Sequence, residues 1–441
     1  MDSYRIQHCD FLINADFIIT QNASREVIND GAIAIKGSHV ADIGPAEVLE
    51  GRWHPEERLD LSGHIVMPGL INAHTHSAMT FLRGLADDQP LMHWLTKTVF
   101  PVEKRLTEEI VYIGSMLGQA EMLATGTTAC MDMYIFEASV LEAAETTGMR
   151  CTGGEAIFQF PSAACRDHEE ALCQTETLAK KYKGSQRIGV AVNPHAIYTT
   201  TPRILAESLD LARKLDLPLH MHLSETGSET EQCLSAYGKR PVEYCRSLGL
   251  LGEHLVAAHI VDINEEEAMI LAEFGVRGVH NPTSNMKLSS GLSPISTLQR
   301  YGMLPGLGTD GPASNNQLNM FQEMNRTAMV HKLVNADPLA APARTVLDLA
   351  TLGGSKVLGN SHIGKLELGC VADLIALNLE HPNMQPIFDP ISQVVYAASG
   401  HEVDLTMVQG EIMYRNGKFT RFDNGDLLAR VDELRRFALS Q

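Results

Sequence analysis

Short apolar runs, each followed by a longer amphipathic segment, recur through the middle of this chain, and this alternation limits the folds it can adopt. There are eight runs: HIVMPGLINAHTH (64–76), GTTACMDM (126–133), MRCTGGEAIF (149–158), RIGVAVNPH (187–195), PLHMHLSE (218–225), HLVAAHI (254–260), VRGVHNPTS (276–284) and LPGLGTDG (304–311). Strands that alternate with helices form parallel sheets with right-handed crossovers, and eight such units close into a (β/α)₈ barrel. The pattern predicts an α/β protein with a TIM-like barrel over residues 64–362. An open doubly wound sheet is disfavoured, because no Gly-rich phosphate loop follows the first run.

The segments between these runs have the spacing of amphipathic helices. The clearest is NEEEAMILAEFG (264–275), in which Asn264 takes the N-cap position and Glu267 completes a capping box. Gly275 is a typical stop signal. A helix is therefore predicted between the sixth and seventh strands.

The two ends of the chain have a different pattern. Residues 9–61 and 363–421 contain short alternating runs separated by turn residues, a pattern typical of β-meanders. We expect residues 1–63 and 363–425 to form one small composite β-sandwich. The last segment has helical spacing and predicts a surface helix over 426–441.

Composition excludes several classes of protein. A formal net charge of −19 argues against a nucleic-acid-binding surface, which needs clustered Lys and Arg. Every apolar run is too short to cross a membrane, and the opening segment MDSYRIQHCDF lacks the apolar core of a signal peptide. The eight cysteines form no CxxC pair, which is typical of thiols in a reducing compartment. We therefore expect a cytoplasmic protein with a small-molecule partner and no membrane or nucleic-acid partner.

Histidines stand at the ends of several predicted strands, where barrel enzymes place their catalytic groups. His74 and His76 are two residues apart on one strand, so both imidazoles can reach one metal ion. In HMHLSE, His222 lies nearer the mouth of the barrel and is the predicted ligand, whereas His220 is interpreted as a hydrogen-bonded wall residue. Glu225 then lies where it could take a proton from a metal-bound water and pass it to a ring nitrogen.

Three further strand ends carry polar residues. His259 follows an apolar run and, taken alone, is typical of a buried core histidine. Asp310 follows a Gly-rich run and is a candidate metal ligand or base, whereas His195 could be a ligand, a substrate contact or a wall residue. Three His and one Asp around a divalent ion leave a position open for water, whose pKa the ion lowers.

Several motifs together resemble the amidohydrolase superfamily, in its deaminase and chlorohydrolase branch. They are PGLINAHTH, HMHLSET, HNPTSN, GLGTDGPASNN and GKLELGCVADLIALN, and their order covers almost the whole chain. THSAMTFLRGLADDQPLMHWL followed by PVEKRL is similar to the first barrel loop of the 5-methylthioadenosine/S-adenosylhomocysteine deaminases.

The resemblance implies a role for each candidate residue. It implies four ligands to one zinc or iron ion: His74, His76, His222 and Asp310. Glu225 would carry a proton to the purine N1, with His259 and Asp310 beside the attacking water; Glu103 would bind the ribose hydroxyls and His195 the substrate. Binuclear members of the superfamily use a carboxylated Lys on the fourth strand, and the absence of Lys from RIGVAVNPH indicates one ion. The resemblance also implies a homo-oligomer.

One run departs from the family pattern, which commonly has Arg residues after the third strand that bind the carboxylate of the homocysteine tail. Glu155 stands near the first of these positions and would repel a carboxylate unless Arg150 or Arg166 substitutes. We therefore expect deamination of 5′-methylthioadenosine, adenosine or another 5′-substituted adenosine to its inosine analogue, with S-adenosylhomocysteine disfavoured.

Two other functions are compatible with parts of the pattern. A metal-dependent deaminase or chlorohydrolase acting on a free base or a triazine-like heterocycle would use the same ligands but would have no use for a ribose contact at Glu103. A non-catalytic assembly module is disfavoured, because the predicted ligands and Glu225 are all present.

Overall fold

The structure, a computed structural model, describes residues 6–85, 87–89 and 91–440. Its strands are β1 Gln7–Ile19, β2 Val27–Lys36, β3 His39–Pro45, β4 Trp53–Pro68, β5 Leu70–Thr75, β6 Thr127–Asp132, β7 Arg150–Gly153, β8 Ala156–Ile157, β9 Ile188–Val190, β10 Asn193–Pro194, β11 Leu219–Leu223, β12 Leu255–His259, β13 Arg277–His280, β14 Gly306–Leu307, β15 Leu374–Asn378, β16 Val403–Val408, β17 Glu411–Arg415 and β18 Lys418–Phe419.

The helices lie mainly between the barrel strands. They are α1 Ala46–Glu50, α2 Leu91–Trp94, α3 Phe100–Glu103, α4 Glu108–Ala124, α5 Glu137–Thr147, α6 His168–Lys181, α7 Pro202–Leu215, α8 Gly227–Tyr237, α9 Pro241–Ser247, α10 Glu265–Glu273, α11 Pro282–Lys287, α12 Ile295–Arg300, α13 Pro312–Asn315, α14 Met320–Asn335, α15 Ala343–Asp348, α16 Gly354–Leu358, α17 Pro390–Ser392 and α18 Asn424–Leu439. Short 3₁₀ turns occupy Ser77–Leu82, Ile197–Thr199 and Pro382–Met384, and π-type turns occupy Leu95–Val99, Leu349–Gly353 and Gln393–Ala397.

Two four-stranded sheets make up the barrel of the described residues, in the orders β5-β6-β7-β9 and β11-β12-β13-β14. Parallel bridges between Val192 and Leu219, and between Thr75 and Asp310, join the two sheets. The third and fourth runs are each divided into two short strands, β7 with β8 and β9 with β10. The second strands of the two runs, β8 and β10, pair with each other. Each of the eight predicted runs contains a barrel strand, and the predicted barrel is confirmed.

Both ends of the chain enter one sheet. Its eight strands, counted over the described residues, follow the order β18-β17-β16-β15-β4-β1-β2-β3. The antiparallel pair β4 and β15 joins the two ends, with Pro68 opposite Leu374. Ile33 of β2 and Met407 of β16 belong to one buried apolar cluster, so the sheet closes around its own core. The fold class, a barrel with a small β-structure built from both ends, is confirmed.

The helix signals read from the sequence correspond to real caps. Asn264 caps α10 through the backbone N–H of Glu267, whose side chain returns to the N–H of Asn264, and Gly275 has a left-handed φ of 70° just after the helix. Thr201 caps α7 by accepting the backbone N–H of Ile204, with Pro202 at the first helical position. Within the described residues, no helix has the length and apolar composition that crossing a membrane requires.

The chain divides into two compact units. One comprises the described residues up to Ile71, with Met122–Ala129 and Asn319–Phe422; the other comprises Asn72–Glu121, Cys130–Leu318 and the residues from Asp423 onward. All of the candidate site residues belong to the second unit. The domain boundaries expected from the sequence, at 63/64, 362/363 and 425/426, stay a prediction.

Within the second unit, the backbone that follows β14 approaches His74 closely at Gly308. A Cβ atom on Gly308 would lie 2.5 Å from Asn281 Oδ1 and 2.7 Å from the carbonyl oxygen of His74. Two residues later, the N–H of Asp310 donates to that same carbonyl over 3.1 Å. A side chain at residue 308 would therefore push Asp310 away from His74.

We predict that Gly308→Ala lowers the midpoint of thermal unfolding, because overpacking a close backbone contact costs about 1–3 kcal/mol. Gly227→Ala is the matched control, since a Cβ atom there meets nothing within 4 Å. Circular dichroism melting curves measure both changes. A Gly308→Ala variant as stable as the unaltered protein would contradict the close approach.

Candidate metal and active site

Five polar residues meet at the carboxyl ends of the barrel strands, as the sequence predicted for barrel catalysis. His74 lies in β5 with His76 just beyond it, His222 lies in β11, His259 ends β12, and Asp310 follows β14. All five are buried or nearly so. His259 and Asp310 have left-handed backbone, with φ of 74° and 61°. Such conformations are uncommon in residues with a side chain and concentrate at functional sites.

The potential ligand atoms of these residues form one tight cluster. One atom each from His74, His222, His259 and Asp310 lies within 4.8 Å of the others. His76 Nε2 joins them, 3.1 Å from Asp310 Oδ1 and 3.3 Å from His222 Nε2. The structure thus brings together the four predicted ligands and adds His259, which the residue pattern alone did not separate from a core histidine.

Each imidazole of the cluster has its Nδ1 atom bound to an outer partner. The pairs are His74 with His220 Nε2 at 2.9 Å, His76 with the Met133 carbonyl at 2.5 Å, His222 with the His195 carbonyl at 2.8 Å, and His259 with Asn285 Oδ1 at 2.8 Å. An outer bond at Nδ1 fixes the ring and leaves Nε2 as the electron-pair donor. His220 is a buried, hydrogen-bonded partner of His74, in agreement with its interpretation as a wall residue.

Asp310 is oriented by two hydroxyl groups. Ser284 Oγ and Ser314 Oγ donate to its Oδ2 atom over 2.6 and 2.8 Å, which leaves Oδ1 directed at the histidines. The sequence analysis did not identify these serines, or Asn285, as parts of the site. Ser284 and Asn285 lie in the HNPTSN motif and Ser314 in GLGTDGPASNN. The motifs therefore included these residues, but the contacts of their side chains could be known only from the folded structure.

The donor set fits a divalent cation. Burial lowers the pKa of His74 to about 4 and holds that of His222 well below its ordinary value, so both rings are neutral donors. Burial alone would raise the pKa of Asp310, but the adjacent His74 and His76 rings outweigh it and keep the group ionised. His74 Nε2 is buried, 3.4 Å from Asp310 Oδ1, without a hydrogen bond. Burial lowers the pKa of His76, but the hydrogen bond with Asp310 outweighs it and raises that pKa to about 9, so a cation would take the place of a proton there. A buried carboxylate that faces several imidazole nitrogens is an environment in which proteins hold a cation.

A cavity lies over this cluster. Its wall is largely apolar, with contributions from Met79, Trp94, Leu95, Val99, Phe100, Met133, Ile135, Phe158 and Leu288. The four predicted residues outside the ligand set, Glu103, His195, Glu225 and His259, line the same cavity. A mostly apolar cavity with a few convergent polar groups is the usual form of a site for a small organic molecule.

The two carboxyl groups of the wall have different surroundings. Glu103 is buried and accepts a hydrogen bond of 2.8 Å from the Tyr134 hydroxyl; burial raises its pKa to about 7, against the opposing effect of that bond. Burial also raises the pKa of Glu225, against the charge of the nearby His259 ring. A buried carboxyl group with a raised pKa can exchange a proton near neutral pH.

His195 is a neutral wall group. Its Nδ1 atom hydrogen-bonds Thr199 Oγ1 over 3.0 Å, and burial lowers its pKa to about 3. Its ring packs on Phe158 and on His222, with centroids 5.0 and 4.6 Å away.

The expected effect of Glu155 on the substrate tail is corrected by the structure. Glu155 does not line the cavity; its carboxylate accepts the backbone N–H groups of Phe136 at 3.1 Å and Glu137 at 2.9 Å. Arg150 is buried and donates to the Gln186 carbonyl, and Arg166 is exposed and pairs with Glu170. None of the three faces the cavity, so the argument against a carboxylate tail that depended on Glu155 does not hold.

Comparison with known proteins gives matches along nearly the whole chain. A model of the amidohydrolase family matches residues 65–413. A 5-methylthioadenosine/S-adenosylhomocysteine deaminase from Desulfovibrio desulfuricans is 53% identical over 433 residues, 98% of each chain. A crystal structure of an adenosine deaminase from Xanthomonas campestris with bound zinc is 35% identical, with a TM-score of 0.96 over 98% of this chain and 99% of that one. An atrazine chlorohydrolase from Arthrobacter aurescens, 22% identical with a TM-score of 0.89 over 96% and 100% of the two chains, shares the fold.

These matches confirm the family resemblance that the motifs carried. The family model spans most of the chain, and the relative from Desulfovibrio spans nearly all of it. The chain therefore belongs to the amidohydrolase family of metal-dependent hydrolases, in the branch that includes the 5-methylthioadenosine/S-adenosylhomocysteine deaminases.

Proposed function

We propose that this enzyme hydrolyses the exocyclic C–N bond of an adenosine-type nucleoside, releasing ammonia and the inosine analogue. The observation that carries the proposal is the joint placement of the His–Asp cluster, Glu225 and Glu103 around one apolar cavity. The deaminase names of the Desulfovibrio and Xanthomonas relatives support the same reaction.

The metal proposal is one divalent ion, zinc in preference to iron. His74, His76, His222 and Asp310 would hold it, and His259 belongs to the same cluster. Imidazole and carboxylate donors suit zinc, and the Xanthomonas relative carries zinc. The fourth barrel run has no Lys to bridge a second ion. When bound, such an ion lowers the pKa of the attacking water and so supplies a nucleophile near neutral pH.

Proton transfer is assigned to the residues around the attacking water. Glu225, buried on the cavity wall, accepts a proton from the water and delivers it to the ring nitrogen beside the reacting carbon. Protonating that nitrogen removes the negative charge that addition of water would otherwise place on the ring. Asp310 and His259, which line the same cavity, would hold or accept the second proton of the water.

Glu103 is proposed to bind the ribose. A carboxylate can accept two hydroxyl hydrogen bonds at once, and the Tyr134 hydroxyl keeps Glu103 Oε1 in place. His195 is proposed to contact the substrate from the neighbouring wall. A deaminase or chlorohydrolase of free bases or triazines would leave the buried Glu103 without a partner on the substrate.

The 5′ substituent of the nucleoside is proposed to extend past Glu103 into a second cavity. Phe100, Glu103, Ile135 and Phe158 line both cavities, so the two lie side by side. Phe158 stacks on Phe160 with centroids 5.0 Å apart, which gives this space an aromatic wall suited to a thioether. Among the described residues that line either cavity, Lys104 is the one Lys or Arg, and it is the proposed partner of a tail carboxylate.

The proposal also covers the location and the oligomeric state of the protein. The eight cysteines are all free thiols and seven are buried, which supports a cytoplasmic location. The homo-oligomeric state is proposed from the family resemblance alone.

Glu225→Gln tests the proton transfer. We expect kcat to fall by a factor of about 10²–10⁴, because the amide cannot carry the proton, while one divalent ion per chain is retained. Steady-state kinetics on 5′-methylthioadenosine and elemental analysis of the purified protein measure the two effects. Chelation of the ion should abolish turnover, and added zinc should restore it. A variant with unchanged kcat would refute the assignment of Glu225.

Glu103→Gln separates the nucleoside proposal from the free-base alternative. We expect kcat/KM for adenosine-type nucleosides to fall about 10–100-fold, because a bond to ribose is lost, while any activity on free adenine or guanine stays the same. Tyr134→Phe is the matched control: it removes only the hydroxyl that orients Glu103 and should cause a smaller loss. Faster turnover of free bases than of nucleosides by the unaltered enzyme would favour the alternative.

Lys104→Met tests the tail cavity. We expect a several-fold lower kcat/KM for S-adenosylhomocysteine and an unchanged value for 5′-methylthioadenosine, because an exposed ion pair contributes about 0.2–1 kcal/mol. Arg166→Met, which alters a cation outside both cavities, should affect neither substrate. Equal losses for the two substrates, or no turnover of S-adenosylhomocysteine by the unaltered enzyme, would refute the role of Lys104.

A further inference from the structure

The carboxylate of Glu229 lies beneath the loop that carries Glu225. It is buried, with 3% of its surface exposed, and occupies the third position of α8. Its Oε1 atom accepts the backbone N–H of Ser224 over 3.1 Å, and its Oε2 atom accepts the backbone N–H of Glu225 over 2.7 Å. One side chain therefore binds both residues at the turn from β11 toward α8.

These bonds differ from an ordinary helix cap. A Glu at the third helical position usually returns to the N–H of the N-cap residue, as Glu267 does to Asn264 over 3.0 Å in α10. The N-cap of α8 is Thr226, whose side chain accepts from the N–H of Glu229. Glu229 itself reaches further back, to the two residues before the cap.

The turn that Glu229 holds is strained and connects to a second part of the site. Ser224 has a left-handed φ of 53°, which a residue with a side chain adopts at a cost and which therefore needs surrounding contacts. The carbonyl of Ser224 accepts the N–H groups of Val261 and Asp262 over 2.9 and 2.8 Å, just after His259. The turn thus fixes where Glu225 lies relative to the end of β12.

We propose that Glu229 is the positioning residue for Glu225, and that its carboxylate sets the direction in which the Glu225 side chain enters the cavity. This inference rests on the proposed role of Glu225 in proton transfer. Proton transfer requires donor and acceptor to lie within hydrogen-bond reach, and a displacement of about 1 Å lowers a rate by about 10²-fold. Glu229 touches neither substrate nor metal, so its effect must pass through Glu225.

Glu229→Gln is the primary test. The amide oxygen can accept one of the two N–H groups, but the amide nitrogen then faces the other and cannot bind it. We expect kcat on 5′-methylthioadenosine to fall about 10–100-fold, while KM and the metal content change by less than twofold. Loss of metal or a raised KM with unchanged kcat would overturn the inference.

Glu267→Gln is the matched control. Glu267 is equally buried at the third position of α10, and its change to Gln removes the charge of the 2.9 Å ion pair with Arg240, while the amide oxygen can still accept the N–H of Asn264. It should lower thermal stability and leave kcat unchanged. A comparable fall in kcat from both variants would show a general effect of helix destabilisation and would contradict the specific role of Glu229.

The double variant with Glu225→Gln gives a readout that a structural role would not produce. If Glu229 acts through Glu225, adding Glu229→Gln to Glu225→Gln causes no further loss of kcat. A further loss as large as in the unaltered background would overturn the inference. If Glu225→Gln alone keeps full activity, the proposed proton transfer fails instead. Should Glu229→Gln not fold, Glu229→Asp retains the carboxyl group but is one methylene too short to reach both N–H groups, and an unchanged kcat in that variant would also contradict the proposal.

Discussion

A buried carboxylate among imidazoles is the constraint on which the site depends. Asp310 is 6% exposed, and an ionised carboxyl group without a positive partner costs several kcal/mol to bury. Two serine hydroxyls satisfy Oδ2, and Oδ1 faces the histidine cluster, where it lies 3.1 Å from His76 Nε2. This carboxylate is the group around which the donor nitrogens gather, and the close approach of Gly308 to His74 is what allows Asp310 to reach them.

The histidines owe much of their orientation to the backbone of the barrel. His76 and His222 are held by the carbonyls of Met133 and His195, which are fixed by the adjoining strands. Backbone carbonyls stay in place when side chains change, so the metal geometry follows from strand register. His259 depends on a side chain instead, the amide of Asn285. Substitutions of wall residues can therefore alter the substrate while leaving the ligand cluster intact.

The sequence was sufficient to predict the segments in which apolar residues recur at the regular spacing of a strand or a helix. The eight apolar runs predicted the barrel strands, and strand alternation placed His74 and His76 on one side. It was insufficient where that regular spacing is interrupted. Gly153 and Gly154 interrupt the third run, and a Cβ atom on Gly154 would collide with the Ala191 carbonyl. Strand alternation does not continue across that break, so it could not predict which way the Glu155 side chain points. It also could not predict contacts between residues distant in sequence, such as Ser284 with Asp310.

Glu155 and Glu229 stabilise two loops of the barrel through the same kind of contact. Each is a buried carboxylate that accepts two consecutive backbone N–H groups, in a turn that contains a left-handed residue, Phe136 at φ 58° or Ser224 at φ 53°. Both turns lead into helices, whose N-termini favour negative charge. The loops that present Tyr134 and Glu225 to the cavity are therefore shaped from within the barrel wall. Because the carboxyl group of Glu155 is used there, the proposed discrimination among 5′ tails is assigned to the residues around the second cavity, in α3 and residues 158–163.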